Sequence, residues 1–252
     1  MNSKVFIVTG ASRGIGAAIA RYLLGRSHKV VVTARSQEPL EGLKKSHPNQ
    51  VEFIAADIVE PQLATKLVDL AVSSFGQVDG LVVNHGVLVP KKFADTTLDE
   101  WKKIYDINLF SGVALTQAQA ALNELRKSKG CIVWVSSGAA SKQYAAWSSY
   151  GSSKAAYNSI SAHIALEEPD ITSVAIAPGR VDTEMQGVLR SQGKGSMSKA
   201  QYDSFVEAKE KGILLQPEQP GHVMAKFVAD PLKDLSGKSF SWNSPEVATY
   251  QE

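Results

Sequence analysis

Short apolar runs alternate along the chain with segments whose apolar residues recur at helical spacing. Each run is four or five residues long and rich in β-branched residues, which predicts a buried strand. The segments between them, such as 17–26 and 62–75, predict amphipathic helices. This alternation favours a parallel sheet with helices on both faces, a doubly wound α/β fold. The predicted strands are Val5–Thr9, Lys29–Thr33, Val51–Ala55, Gly80–Val83, Cys131–Val135, Ser173–Ala177 and Lys238–Trp242.

Two longer stretches depart from this alternation. Residues 98–127 predict one long helix with Asn108 near its middle, where an amide competes for backbone hydrogen bonds. We therefore expect Asn108 to face solvent or to distort the helix locally. Residues 184–212 are polar and contain glycines, which is typical of a mobile lid over a substrate site. No linker or repeat divides the sequence, so residues 1–252 are predicted to form a single domain.

Composition narrows the function classes. The net charge is +2 with no block of like charges, so neither a nucleic acid nor a membrane is expected as a partner. No apolar run approaches the roughly 20 residues that span a bilayer, and the polar N-terminus is too short for a signal peptide. The single cysteine, Cys131, lies in a predicted strand, which predicts a cytoplasmic protein. The five histidines lack ligand spacing, so no metal site is expected.

The first predicted strand runs directly into a glycine-rich loop, Thr9-Gly-Ala-Ser-Arg-Gly-Ile-Gly16. Gly10 permits a tight turn, Gly14 lets the backbone approach a pyrophosphate, and Gly16 lets the next helix pack closely. A purely structural glycine turn is the alternative, but the place after an N-terminal strand favours dinucleotide binding. Further cofactor residues are expected in this loop, and they are Ser12, Arg13 and Ile15.

The end of the second predicted strand indicates which dinucleotide binds. Enzymes that use NAD usually carry Asp or Glu there, which binds the ribose hydroxyls. This chain has Ala34 and Arg35 instead, and Arg13 lies in the glycine loop. Two cations with no carboxylate to repel a phosphate favour the 2′-phosphate of NADP(H). The alternative is that both arginines are solvated loop residues.

Other chemistry-bearing residues also follow predicted strands, at the sheet edge where doubly wound folds bind ligands. Asp57 either accepts a hydrogen bond from the adenine amine or caps the next helix. Asn84 and Gly86 are placed to line the cofactor cleft. Tyr150 and Lys154 fall one helical turn apart, and an ammonium that stabilises the phenolate makes Tyr150 a candidate general acid. An ordinary surface Tyr and Lys is the alternative.

Together and in this order, the motifs resemble the short-chain dehydrogenase/reductases over nearly the whole chain. The resemblance implies a Rossmann-type domain with a seven-stranded parallel sheet and bound NADP(H). It also implies cofactor contacts at Ile58, Pro178, Gly179, Val181 and Thr183, the last two at the carboxamide. The matching segments are Thr9–Gly16, Asp57, Asn84–Gly86, Asn108, Ser137 with Tyr150–Lys154, and Pro178–Thr183.

The resemblance further implies a catalytic tetrad of Asn108, Ser137, Tyr150 and Lys154. Tyr150 is then the general acid/base, and Ser137, at the family's spacing before the tyrosine, binds the substrate oxygen. Lys154 lowers the tyrosine pKa and binds the nicotinamide ribose, while Asn108 holds a water in the proton relay. One position departs from the family's Asn-Asn-Ala-Gly, since His85 replaces the alanine. We expect a tolerated substitution with its ring towards solvent rather than a role in proton transfer.

Several segments look most like fungal carbonyl reductases related to the benzil and sepiapterin reductases, namely 135–139, 144–149, 167–169 and 181–186. This implies reduction of a ketone, such as an aromatic or vicinal diketone, by NADPH. The alternatives are an NAD-dependent secondary-alcohol dehydrogenase and a nucleotide-sensing protein without turnover. A homodimer or homotetramer is also implied. The pocket candidates form a mostly apolar set, with core packing as the alternative for each: Leu88, Val89, Tyr144, Trp147, Met185, Gln186 and Val188.

Overall fold

The computed structural model describes residues 3–251, so expectations drawn from Met1, Asn2 and Glu252 lie outside the described residues. Seven strands in this range form one parallel sheet, and each predicted strand is confirmed to within one residue at either end. Their bounds are β1 Val5–Thr9, β2 Lys29–Ala34, β3 Val51–Ala55, β4 Gly80–Val83, β5 Cys131–Val135, β6 Thr172–Ala177 and β7 Ser239–Ser241. The spatial order is β3-β2-β1-β4-β5-β6-β7. Strands β1 to β3 are added towards one edge of the sheet and β4 to β7 towards the other, so the order of strands reverses between β1 and β4.

Ten α-helices accompany these strands between residues 3 and 251. They are α1 Gly14–Gly25, α2 Gln37–Ser46, α3 Leu63–Phe75, α4 Leu98–Tyr105, α5 Ser111–Gln117, α6 Gln119–Ser128, α7 Ser148–Glu167, α8 Glu184–Gln192, α9 Lys199–Glu210 and α10 Glu218–Ala229. Successive strand residues point to opposite faces. Phe6 and Val8 therefore join the core formed with α1 and α10, whereas Val5 and Ile7 join the core formed with α3, α5 and α7. This confirms the doubly wound α/β fold.

The prediction of one long helix over residues 98–127 is wrong. The chain forms α4, a π-helical turn at Asp106–Phe110, α5 and α6. Asn108 lies in the π-helical turn, so the expected distortion is confirmed, but its side chain is fully buried rather than facing solvent. Ser111 and Thr116 donate hydrogen bonds to carbonyls four residues earlier, which bends a helix. At Ala118 a ψ of 118° ends α5.

The segment predicted to be a lid, residues 184–212, forms α8 and α9. Leu189 and Phe205 are buried against residues near Tyr150, so the segment covers this end of the molecule. Its polar contacts with the rest of the chain include a partly buried one, from Ser196 Oγ to the carbonyl of Pro90 at 2.9 Å, and an exposed pair between the Gln201 side chain and the Ala145 backbone, at 3.1 and 3.3 Å. The mobility of this segment stays a prediction.

Candidate active site

A cleft of about 860 Å³ opens at the carboxyl ends of the strands, beside the reversal between β1 and β4. Such crevices bind ligands in open α/β sheets. Gly16, Gly179, Val181, Asn108 and Ser137 are not part of its wall. The other residues assigned to the site from the sequence line it, and they are Gly10, Ser12, Arg13, Gly14, Ile15, Arg35, Asp57, Ile58, Asn84, Gly86, Tyr150, Lys154, Pro178 and Thr183.

The floor of the cleft is backbone rather than side chain. Gly10 and Gly14 have φ angles of +64° and +56°, in the left-handed region that favours glycine. α1 begins at Gly14 with no side-chain cap and no acidic residue in its first turn. Its N–H groups and dipole are therefore available to an anion. A Cβ at Gly16 would overlap the carbonyl oxygen of Gly10. The absence of a side chain at Gly16 therefore allows α1 to pack closely against the loop. These features fit a dinucleotide pyrophosphate.

The two predicted cations, Arg13 and Arg35, line the same cleft, but Arg13 is already paired. Its Nη2 lies 2.6 Å from Oε2 of Glu184, and both side chains are more than half exposed. The expectation that no carboxylate lies beside these cations is therefore wrong for Arg13, because Glu184 at the start of α8 reaches it. Arg35 is exposed and forms no ion pair with any residue in the range 3–251, so it is available to a phosphate.

α7 places Tyr150 and Lys154 on the cleft wall, where both are buried, with 6% and 3% exposure. Lys154 Nζ donates to the carbonyl of Val135 at 2.8 Å and lies 4.3 Å from the centroid of the Tyr157 ring. Burial lowers the pKa of Lys154 to about 7. Burial also raises the pKa of Tyr150, and a hydrogen bond with Ser137 opposes this rise. The expected lowering of the Tyr150 pKa is thus not found in this structure.

Ser137 and Ser136 follow β5 and have different partners. Ser137 caps a 3-10 turn, with its Oγ accepting from Ala139 N at 3.1 Å, and its hydroxyl lowers the pKa of Tyr150 against the effect of burial. Ser136 lines the cleft but donates to Asn158 Oδ1 at 2.7 Å. The Ser136 hydroxyl is thus held by Asn158, and the choice of Ser137 as the serine that acts with the tyrosine stays a prediction.

Asn108 holds the loop after β4 in place. Its Oδ1 accepts from Val87 N at 2.7 Å, and its Nδ2 donates to Val87 O at 2.8 Å and to Ser153 Oγ at 3.3 Å. A Cβ at Gly86 would lie 3.4 Å from Asn108 Oδ1 and 3.5 Å from Lys154 Nζ. Gly86 therefore lies next to both the Asn108 amide and the Lys154 ammonium.

The expectation that the His85 ring faces solvent is wrong. The residue is 9% exposed, and its ring nitrogens lie 2.8 Å from Thr9 Oγ1 and 2.7 Å from Ser111 Oγ. Burial first, and then the charge of Lys154, lower the pKa of His85 to about 3. The ring is therefore neutral at neutral pH. A polar residue two positions after a buried strand was the available sequence signal, but the sequence does not reveal the distant serine that it contacts.

Beyond Tyr150, apolar side chains form a cluster that we call the aromatic cluster: Leu88, Ala146, Trp147, Tyr150, Leu189, Met197 and Phe205. Among the predicted pocket residues, Leu88 and Trp147 belong to it and Tyr144 and Met185 pack against it. Gln186 is buried in α8 and Val188 is half-buried, but neither belongs to the cluster. Val89 is 44% exposed, so it does not join the cluster.

Sequence reasoning missed part of both surfaces. Leu189, Met197 and Phe205 belong to the aromatic cluster, but their polar surroundings in the lid segment concealed their burial. In the cleft, the missed wall residues lie beside predicted ones along the chain or at more distant loops, and they are Thr33, Ala34, Ser36, Ala56, His85, Val87, Ile107, Val135, Ser136, Asp182, Glu184 and Pro217. Adjacency to a predicted residue was the only signal for most of them.

Within residues 3–251, no group of His, Cys, Asp and Glu side chains is arranged to hold a metal ion. The same range contains no helix with the length and apolar character needed to cross a membrane. The buried thiol of Cys131 has a raised pKa because burial disfavours the thiolate, so it is a poor nucleophile.

Comparison with known proteins identifies the fold and the family. The short chain dehydrogenase family profile matches residues 4–194. A solved short chain dehydrogenase/reductase of Saccharomyces cerevisiae has a TM-score of 0.95 and 39% identity, covering 99% of this chain and 100% of that chain. A cytoplasmic protein with unknown function from the same yeast has a TM-score of 0.85 and 38% identity, with coverage of 99% and 100%. A benzil reductase of this yeast, which forms (S)-benzoin, is 33% identical over 98% of this chain and 99% of its own. The chain therefore belongs to the short-chain dehydrogenase family, whose members are oxidoreductases that use a nicotinamide cofactor.

Proposed function

We propose that the protein is an NADPH-dependent carbonyl reductase of hydrophobic ketones, with aromatic or vicinal diketones as the best-fitting class. One observation carries the proposal: Tyr150 is buried where the dinucleotide cleft meets the aromatic cluster. A proton donor at this junction reaches the oxygen of a carbonyl held between the two. The benzil reductase relative acts on a substrate of this class, which supports the proposal.

The proposed reaction adds a hydride and a proton to the carbonyl. When bound, the nicotinamide supplies the hydride to the carbonyl carbon. Tyr150 donates its phenolic proton to the carbonyl oxygen, which completes the alcohol and leaves a phenolate. Ser137 donates a hydrogen bond to the same oxygen as charge develops on it. Lys154 stabilises the phenolate and holds the ribose, and Asn108 holds the water through which the proton is replaced.

The proposed cofactor preference depends on Arg35. It is exposed at the cleft wall, where a carboxylate in an NAD enzyme would bind the ribose hydroxyls, and it is available to a 2′-phosphate. Gly10, Gly14 and the start of α1 would hold the pyrophosphate. On the loops after β3 and β6, the expected contacts to the rest of the cofactor are those of Asp57, Ile58, Pro178, Gly179, Val181 and Thr183.

The second candidate is an NAD-dependent dehydrogenase of secondary alcohols. It is favoured by the ion pair with Glu184, which neutralises Arg13 in the cofactor cleft. A nucleotide-binding protein without turnover has less support, because such a protein has no need of a buried tyrosine and a buried lysine on the wall of the cleft.

A substrate panel tests the proposal. We expect the purified protein to oxidise NADPH in the presence of an aromatic vicinal diketone and apolar monoketones, and to act poorly on charged keto acids. Absorbance of the reduced cofactor is the measurement, with NADH in parallel. A clear preference for NADH would favour the second candidate. Binding of NADPH without turnover of any carbonyl would favour the non-catalytic protein.

We also propose that residues 1–252 form a single domain that assembles as a homodimer or homotetramer in the cytoplasm. Leu98 in α4, Phe110 in the π-helical turn and Phe93 in the 3-10 turn before α4 are more than half exposed, and on α7 Leu166 is 80% exposed. A second copy that covers these side chains removes apolar surface from water. Static light scattering tests the assembly, and a monomer at micromolar concentration would contradict it.

A further inference from the structure

His85 joins three elements that meet behind the reacting end of the cleft. It follows β4, and its ring contacts Thr9 at the end of β1 and Ser111 just after the π-helical turn. Its backbone N–H also lies 3.3 Å from Thr9 Oγ1. The residue is thus held on both sides, although the fold does not require a histidine, since the family's pattern has alanine here.

The hydrogen bonds define one tautomer. Ser111 Oγ donates to the carbonyl of Ile107 at 2.8 Å, so it accepts from His85 Nε2 at 2.7 Å. A neutral imidazole has one donor and one acceptor, so Nδ1 must accept. Thr9 Oγ1 donates to this nitrogen at 2.8 Å in preference to the carbonyl of Val82 at 3.2 Å. The Nε2–H tautomer therefore keeps the shorter contact on each side of a neutral ring, and it gives up only the 3.2 Å contact from Thr9 Oγ1 to the Val82 carbonyl.

The same arrangement connects His85 to Asn108. Ser111 anchors the end of the π-helical turn that carries Asn108, and Asn108 in turn bonds twice to Val87, two residues after His85. The segment 84–87 is thus held at two points, by the contact of His85 with Ser111 and by the contacts of Val87 with Asn108. Gly86 lies inside this segment and faces the Asn108 amide and the Lys154 ammonium.

We propose that His85 is a positioning residue, which acts through Ser111 to hold Asn108 and Gly86 in the arrangement that the reduction requires. The proposal rests on the proposed function for its catalytic consequence. Asn108 and Lys154 must keep a fixed separation to share a water, and misplacement of catalytic groups by about 1 Å costs roughly 100-fold in rate. His85 supplies one of the two attachments that fix this separation, and it touches no reacting atom itself.

Substitutions of His85 separate its two contacts. His85→Ala should lower kcat by about tenfold or more and change the KM for NADPH by less than about twofold. His85→Gln keeps a nitrogen near the Nε2 position and should restore most of the activity through Ser111. His85→Asn reaches only Thr9 and should not. Equal activity of the alanine variant and the wild type, with the fold intact, would overturn the proposal.

Ser111→Ala is the partner test, and it applies even if the His85 variants fail to fold. It should match the loss of kcat in His85→Ala, and the double variant should be no worse than either single one, because both remove the same contact. Full activity of Ser111→Ala would overturn the proposal.

Two readouts in the cofactor-free protein keep this proposal distinct from the proposed function. Nitrogen NMR of the His85 ring should show a protonated Nε2 and an unprotonated Nδ1 from pH 6 to 8. Amide exchange at Val87 should be about tenfold faster in Ser111→Ala than in the wild type, because the Asn108 acceptor loosens. If the wild type reduces no carbonyl but both results hold, only the proposed function fails. A protonated Nδ1 or unchanged exchange would defeat the positioning role.

Discussion

The dinucleotide cleft and the aromatic cluster meet at Tyr150, but they are built differently. The cleft is shaped by backbone, because Asn84 Nδ2 holds the carbonyls of Thr9 and Gly10 at 2.9 and 3.2 Å above a floor of glycines. The aromatic cluster is shaped by side chains, such as the stacked rings of Trp147 and Phe205, whose centroids are 5.4 Å apart. A site formed by backbone tolerates few substitutions, whereas apolar side chains can repack after a substitution that conserves their volume.

This difference matches what each region has to bind. A cofactor is the same molecule in every turnover, so a site fixed by hydrogen bonds loses nothing by being rigid. A substrate class is broader, and under the proposed function it would lie against the aromatic cluster, to which residues 184–212 contribute apolar Leu189, Met197 and Phe205. We therefore expect substitutions in the cleft to be damaging and substitutions in the aromatic cluster to shift preference.

The junction itself should be the most sensitive position. Tyr150→Phe should lower kcat for ketone reduction by about 1,000-fold, because it removes the proposed proton donor, while NADPH binding stays within about twofold. Steady-state kinetics and cofactor fluorescence titration measure the two effects. Tyr157→Phe is the matched control, since its buried hydroxyl on the same helix lacks a hydrogen-bond partner among residues 3–251. Similar losses in both variants would mean that Tyr150 acts only through packing.

The rigidity of the cleft floor is tested at Gly16. Gly16→Ala should reduce the free energy of unfolding by about 2–3 kcal/mol, because the added Cβ meets the Gly10 carbonyl and the amide of Asn84. Gly25→Ala, in the same helix with open space around the added Cβ, should be neutral or stabilising by up to about 1 kcal/mol. Urea unfolding gives both values, and a tolerated Gly16→Ala would show that the floor adapts.

The buried Lys154 should make the stability of the protein depend on pH. Burial lowers its pKa to about 7, whereas the unfolded chain keeps a lysine near ~10.4, so the unfolded state binds more protons between these values. Stability should therefore rise with pH across this window, by up to about 1.4 kcal/mol per pH unit. Lys154→Met removes this pH dependence. The difference in free energy of unfolding by which the variant exceeds the wild type should therefore shrink between pH 7 and 10. The exposed Lys142→Met variant is the control, and its free energy of unfolding should follow the same pH dependence as that of the wild type. The same pH dependence in all three proteins would contradict the prediction.

Cofactor choice should depend on single charges at the open end of the cleft. Arg35→Ser should raise the KM for NADPH about tenfold and leave that for NADH unchanged. Arg13→Ser should have a smaller effect, because Glu184 already neutralises this cation. Glu184→Gln should instead improve NADPH binding by freeing Arg13. An unchanged NADPH preference in Arg35→Ser would remove the argument for NADP.

Sequence patterns predicted the features that depend on residues close together in the chain. The strand bounds, the glycine loop and the spacing of Tyr150 and Lys154 all depend on neighbours in the chain, so periodicity and motif spacing were sufficient. The contact of His85 with Ser111, the ion pair of Arg13 with Glu184 and the burial of Phe205 join distant segments. Such contacts depend on how helices cross the sheet, which a hydrophobic pattern does not record. The same holds for the π-helical turn, where tertiary contacts of Asn108 override a regular helical pattern.

The smallest effects are expected within the aromatic cluster. Phe205 is 1% exposed, stacks on Trp147 and has the Arg180 guanidinium 4.6 Å from its ring centroid. Phe205→Leu keeps most of the apolar volume, so stability should fall by less than about 1.5 kcal/mol. The KM for a bulky diketone should rise a few-fold while that for a small aliphatic ketone and for NADPH stays the same. Phe75→Leu, on the distant helix α3, is the control and should change none of these constants. If Phe205→Leu abolished turnover of every ketone, the substrate side would be as rigid as the cofactor side, and the contrast between the two regions would not hold.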